Sequence, residues 1–93
     1  MIENFIALFN YDQRYLNGLC YWFAYMLKGR FPDGEIWYDQ ISNHFYFVLN
    51  NNAYDVRGRV DLPNTSIKWD EYKNFDSYDY ERVVRYCILK EGE

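Results

Sequence analysis

Apolar residues fall at Ile2, Phe5, Ile6 and Phe9, a spacing of three and four that predicts a short helix over 2–9. The stretch "NYDQRYLNG" that follows is polar and turn-rich. Leu19, Cys20, Phe23, Ala24 and Leu27 then line one side of a second predicted helix, from about Leu16 or Gly18 to Lys28. Asn17 is placed to cap its start. Gly29 suits its C-terminal cap, and Pro32 follows just beyond.

Past Pro32 the period shortens to two. "EIWYDQ" alternates and is rich in strand formers, and "NHFYFVLNNNAYDVRG" reads as two strands about the Asn50-Asn51-Asn52 turn. "VDLPNTSIKW" reads as loop. From about Lys68, "WDEYKNF" and "DSYDYERVVRYCILK" read as helical, with Asp76 as a cap and Tyr80, Val83, Val84 and Cys87 on one face. The order α, α, β, β, β, α predicts an α+β fold: short N-terminal helices, a three-stranded antiparallel sheet and a C-terminal helix. With no repeat and no linker, residues 1–93 are expected to form a single domain.

The hairpin has a consequence for chemistry. With Asn50-Asn51 as a two-residue loop, Leu49 faces Asn52 and Asp55 falls opposite Tyr46. His44, Tyr46 and Val48 then share a face with Ala53, Asp55 and Arg57, while Phe45, Phe47, Leu49, Tyr54 and Val56 form the apolar face. Asp55 becomes a diagonal neighbour of His44, roughly 7 Å away between backbones and within reach of the imidazole. A slip of one residue would separate them.

Cys20 stands near a predicted helix start, where unpaired N–H groups and the helix dipole favour a thiolate. The only histidine of the chain, His44, would supply the imidazolium, and Asp55 would orient it. Cys20, His44 and Asp55 are therefore the candidate catalytic residues, with Asn17 or Gln13 as candidate helpers at the oxyanion. The plainer alternatives are a buried core cysteine, a structural histidine, and an aspartate that anchors the "DVRG" turn or pairs with Arg57 or Arg59. Cys87 has no such company and reads as core. One Cys, one His and one Asp fall short of a structural zinc site, and no glycine-rich phosphate loop is present, so no metal or cofactor is expected.

"NGLCYWFAYML" followed by "NHFYFVLNNNAYDVRG" resembles the minimal core of the transglutaminase-like group in the papain-like cysteine superfamily. Gly18, Cys20 and Ala24 match that group's helix start, His44 and Phe45 its strand, and Tyr54 and Asp55 the next strand. The resemblance covers residues 16–58 and implies acyl-transfer chemistry on Cys20, His44 and Asp55. It departs from the pattern in the short Cys20-to-His44 interval and in having no tryptophan after His44, where Phe45 and Tyr46 stand in. The Cys-Tyr-x-Phe-Ala and His-Phe pattern is also similar to small phage- or plasmid-type proteins of Gram-positive bacteria.

Composition adds a second functional reading. Eleven Tyr, seven Phe and three Trp in 93 residues exceed what so small a core hides, so some rings must reach the surface, where interfaces favour them. Net charge is -4 without a basic stripe, which argues against direct nucleic-acid binding. The alternative to an enzyme is thus an acidic, phage-type inhibitor, anti-CRISPR-like or otherwise anti-defence, that binds a host protein. Its partner would be that target; the enzyme's would be a protein or peptide substrate. "MIENFIALFNYDQ" has neither a basic n-region nor a long apolar run, so no signal peptide or membrane span is expected. Two widely separated cysteines suggest a reducing cytoplasm, the host's if the protein is phage-borne.

Overall fold

A computed structural model describes residues 1–16 and 18–90. Helix α1 (Ile2–Ala7) leads through a 3₁₀ turn (Gln13–Tyr15) to α2 (Cys20–Arg30). Five strands follow: β1 (Glu35–Asp39), β2 (His44–Leu49), β3 (Asn52–Asp55), β4 (Gly58–Val60) and β5 (Ser66–Lys68). Helices α3 (Trp69–Phe75) and α4 (Ser77–Arg82) then run into a π-helical segment, Val83–Ile88. The strands form one antiparallel sheet in the order β4-β3-β2-β1-β5.

The fold is α+β as expected, but the sheet has five strands where the pattern predicts three. β4 and β5 are each three residues long, too short for alternation to register. They exist because β3 and β1 offer open edges: β4 pairs Tyr54 with Arg59, and β5 pairs Tyr38 with Ile67 inside the stretch expected to be loop. The hairpin register is the expected one, with Leu49 opposite Asn52 and Phe47 opposite Tyr54. Asn50 and Asn51 both have positive φ, at 51° and 67°, the requirement of a type I′ turn.

Helix α2 starts at Cys20, later than the earliest expected start, because Gly18 has φ +117° and cannot continue a helix there. Asn17, the expected cap, lies outside the described residues; Leu19 occupies the cap position. Gly29 is inside the helix and Phe31 caps it. The residue before a proline avoids helical backbone, so Pro32 sets the end at Arg30. Lys28 Nζ ties the turn by donating to the carbonyls of Pro32 and Gly34, each at 2.8 Å. Asp76 caps α4 as expected, accepting from Asp79 N–H at 3.0 Å. The wider π turn, closed by Leu89 N–H to Val84 O at 2.8 Å, moves the buried stripe from a 3.6-residue repeat to the five-residue step between Val83 and Ile88.

One face of the sheet, carrying Tyr38, Phe45, Phe47 and Tyr54, packs with Ile2, Ile6, Phe23, Leu27, Tyr72 and Val83 into a single apolar core. Gly34 lies against it: a Cβ there would overlap the tip of the fully buried Phe47 ring. Gly34→Ala should therefore destabilise the protein by about 1–3 kcal/mol through overpacking, read as a lower denaturant midpoint at unchanged slope.

Candidate functional site

The other sheet face is polar where the core face is apolar. Asp39 lies opposite His44 and also opposite Ser66, so three strands contribute to one row. Asp39, His44 and Asp55 are the buried polar or charged residues of the described chain, at 2%, 7% and 3% exposure. Buried groups of this kind need partners, and each has them. Asp39 accepts from the Ser42 amide and hydroxyl and from the Thr65 hydroxyl. These bonds hold the turn that leads into His44.

β3 pairs only with Phe47–Leu49 of β2, so the two strands part before His44. Side chains close that gap. His44 Nε2 meets Asp55 Oδ2 at 3.0 Å. The same carboxylate accepts from the Arg57 amide at 2.8 Å and from Arg57 Nε and Nη2 at 2.5–3.1 Å. With Nε2 engaged by Asp55, Nδ1 is the ring nitrogen left for the Cys20 thiol, and His44 and Cys20 lie close enough for each to favour the other's charged form. Cys20 is half-buried at the first turn of α2, where the nearby Phe45 and Tyr21 amides favour its thiolate. Cys20, His44 and Asp55 are thus joined in series, with Asp55 behind the imidazole and the thiol in front.

Electrostatics follow from that chain of contacts. Burial pushes the Cys20 thiol up, but His44 and the Phe45 amide outweigh it and leave the pKa lowered. Burial likewise disfavours imidazolium, yet Asp55 and Cys20 together raise His44 to about 9. Burial alone would raise Asp55; His44 and Arg57 instead hold it down to about 2. All three shifts favour the charged forms: thiolate, imidazolium and carboxylate.

Of the residues singled out from sequence, Cys20, His44 and Asp55 converge. Gln13 is exposed on the 3₁₀ turn, and Asn17 falls outside the described residues. Cys87 is half-buried against the core, and both cysteines are free thiols. The two plainer roles for Asp55 are also real, since it anchors its turn and binds Arg57 while holding His44. Sequence reasoning put Tyr46 and Arg57 on the His44 face but missed Leu16, Ser42 and the hollow they complete. An open hollow of about 280 Å³ beside His44 is lined by Leu16, Ser42, Tyr46 and Arg57. The Tyr46 ring stands edge-on to the imidazole at 4.8 Å. Its position two residues after His44, on the same strand face, was the available signal.

Fold and site together define a small α+β protein with a linked cysteine, histidine and aspartate at the parted end of a hairpin. The chain belongs to the phage YunG-like protein family, whose model matches residues 4–88 and so spans all three. Neither the curated proteins nor the solved structures yielded a match to this chain. Among the described residues, no helix is long and apolar enough to cross a membrane.

Proposed function

We propose that this protein is a thiol enzyme of acyl transfer, acting in amide or peptide hydrolysis or in transglutaminase-like exchange. The observation that carries the reading is His44 held between the Cys20 thiol and the Asp55 carboxylate. Cys20 thiolate attacks a carbonyl carbon, and the resulting oxyanion collapses with cleavage of the C–N bond. His44 donates its proton to the departing amine, leaving a thioester on Cys20. Water, or a second amine in exchange, then attacks the thioester while His44 takes up its proton, and the C–S bond breaks to release the acyl product and return the Cys20 thiolate. Asp55 keeps the imidazole oriented throughout. The resemblance to the transglutaminase-like group and the Cys, His, Asp order along the chain support the same chemistry. Two free cysteines fit a cytoplasmic setting.

p-Nitrophenyl acetate tests this without knowledge of the natural substrate. The expected result is a burst of p-nitrophenolate stoichiometric with protein, an acetyl group on Cys20, and loss of both in Cys20→Ser with the circular dichroism spectrum unchanged. A folded wild-type protein that gives no burst refutes the proposal.

A second reading, a non-catalytic phage-type inhibitor of a host protein, draws support from exposed Tyr25, Tyr78 and Tyr86 and from family membership. It separates from the first cleanly, since stoichiometric inhibition of a target survives Cys20→Ser.

A further inference from the structure

A second hollow, of about 300 Å³, opens between α1 and the hairpin joining β3 to β4, and neither Cys20 nor His44 lines it. Its floor includes Ile6 and Val56, core residues at 2% and 1% exposure, so the apolar part is built into the fold. Gly58 lines it at φ +99°, and nothing stands within 4 Å of where a Cβ would be. The rim carries two opposite charges, Glu3 from α1 and Arg59 from β4, both exposed.

Glu3 and Arg59 line one hollow, yet neither makes an ion pair or side-chain hydrogen bond among the described residues. Arg57 also lines it but adds little net charge, because Asp55 engages its Nε and Nη2. Glu3 therefore offsets Arg59, and a simple anion or a simple cation gains little from the rim as a whole. A ligand that carries both charges gains from each, its carboxylate on Arg59 and its ammonium on Glu3. Tyr11 stands at the edge with φ 55°, exposed and without a ring partner among the described residues, so its ring and hydroxyl are open to the same ligand.

We propose that this hollow binds a small zwitterion with an apolar body, the chemistry of a free α-amino acid with an aliphatic side chain. Arg59 holds the carboxylate, Glu3 holds the ammonium, and the side chain covers the floor at Ile6 and Val56. A volume of about 300 Å³ is at the lower end of ligand-sized cavities and suits one such molecule. Binding there requires nothing of Cys20 or His44, so it goes beyond the acyl-transfer reading and survives its failure.

L-Leucine is the probe, titrated at neutral pH into the full chain labelled with nitrogen-15 while amide resonances are followed by NMR. The expected result is saturable shifts centred on Glu3–Ala7 and Val56–Arg59, with a dissociation constant on the order of 1 mM, as befits two exposed ion pairs and a small apolar contact. Leucinamide lacks the carboxylate and N-acetylleucine lacks the ammonium. Each should bind about fivefold more weakly than leucine, the size of one exposed ion pair. In Arg59→Gln, leucine and leucinamide should bind equally; in Glu3→Gln, leucine and N-acetylleucine should. Both positions are exposed and make no internal contact that folding needs, so the variants keep the wild-type spectrum elsewhere. No shift at millimolar leucine, shifts centred away from this hollow, or a leucine-to-leucinamide difference that persists in Arg59→Gln overturns the proposal.

Discussion

At pH 6, iodoacetamide alkylates Cys20 about tenfold faster than it alkylates free cysteine, and His44→Ala abolishes the excess. The expectation comes from two opposing effects. A free thiol of pKa about 8.5 is only about 0.3% thiolate at pH 6. The imidazolium of His44 and the Phe45 amide lower the Cys20 pKa and so raise its thiolate fraction. The ceiling on the gain in reactive species is the roughly three-hundredfold rise to full ionisation. A thiolate of lower basicity is also a weaker nucleophile, with a Brønsted coefficient of about 0.4–0.5, and much of that gain is given back. Roughly a factor of ten survives. In His44→Ala, burial acts on Cys20 without its main counterweight, so the thiol reverts to high pKa and low reactivity. Stopped-flow alkylation between pH 5 and pH 9, with Cys87→Ser as the background, measures both limbs. A Cys20 that reacts only after denaturation identifies a core thiol and removes the basis for catalysis.

The hairpin was legible because two independent requirements agreed on one register. Only that pairing puts Phe45, Phe47 and Tyr54 into the core, and the same pairing sets Asp55 diagonal to His44. Asn50-Asn51 tolerates positive φ and fixes the turn, so local chemistry and burial point the same way. Strands β4 and β5 were not legible. A three-residue strand carries too few positions for a period, and these two are specified by the open edges of β3 and β1, which the sequence does not display.

The site divides along the same line. Cys20 and His44 are rare residue types in this chain, all three of Cys20, His44 and Asp55 fall on or beside predictable elements, and each has a recognised chemical role. Leu16, Ser42 and Tyr46 carry no such distinctive chemistry and meet only when the turn from Asp39 to Asn43 folds over the strand ends. Ser42 had a weak signal in its i,i+3 relation to Asp39, the spacing at which an Asp side chain ties a turn. The helix start was misjudged because Gly18 permits a helix in the abstract, whereas its observed φ of +117° reflects how α2 is entered. The π-helical segment needed tertiary contacts to select it, since Val83 and Ile88 are both buried only at a five-residue step.

Asp55→Asn is expected to lower the melting temperature at pH 7 by about 10–20 °C. Asp55 is 3% exposed, and its carboxylate holds the imidazole, the Arg57 guanidinium and the Arg57 amide together. Its carboxyl is held at about 2 in the folded protein against 3.8 in the unfolded chain. Linkage converts that difference to roughly 2–3 kcal/mol at neutral pH, and a domain this size melts about 4–8 °C lower per kcal/mol lost. Loss of a buried ionic partner often costs about 3–5 kcal/mol. The lower figure applies here because Arg57 is half-exposed and can be solvated by water, while His44 can shed its proton. The sign in acid follows from the direction of the shift. A depressed carboxyl contributes fully above 3.8 and loses that contribution as pH falls through about 2. Wild-type stability should therefore fall steeply across that window, and Asp55→Asn should be flatter there, the two curves converging below pH 2. His44 runs the other way: its pKa is raised, so its contribution is complete below 6.5 and fades as pH rises through about 9. Cys20, shifted down from 9.0, gains as pH rises toward that value and offsets His44 between pH 6.5 and 9. Thermal melts of wild type and Asp55→Asn from pH 2 to pH 9 thus read the carboxylate's own titration in the acid limb and, between pH 6.5 and 9, how far Asp55 supports the charged His44. Parallel acid limbs in the two proteins would show that Asp55 is not held in its charged form by His44 and Arg57.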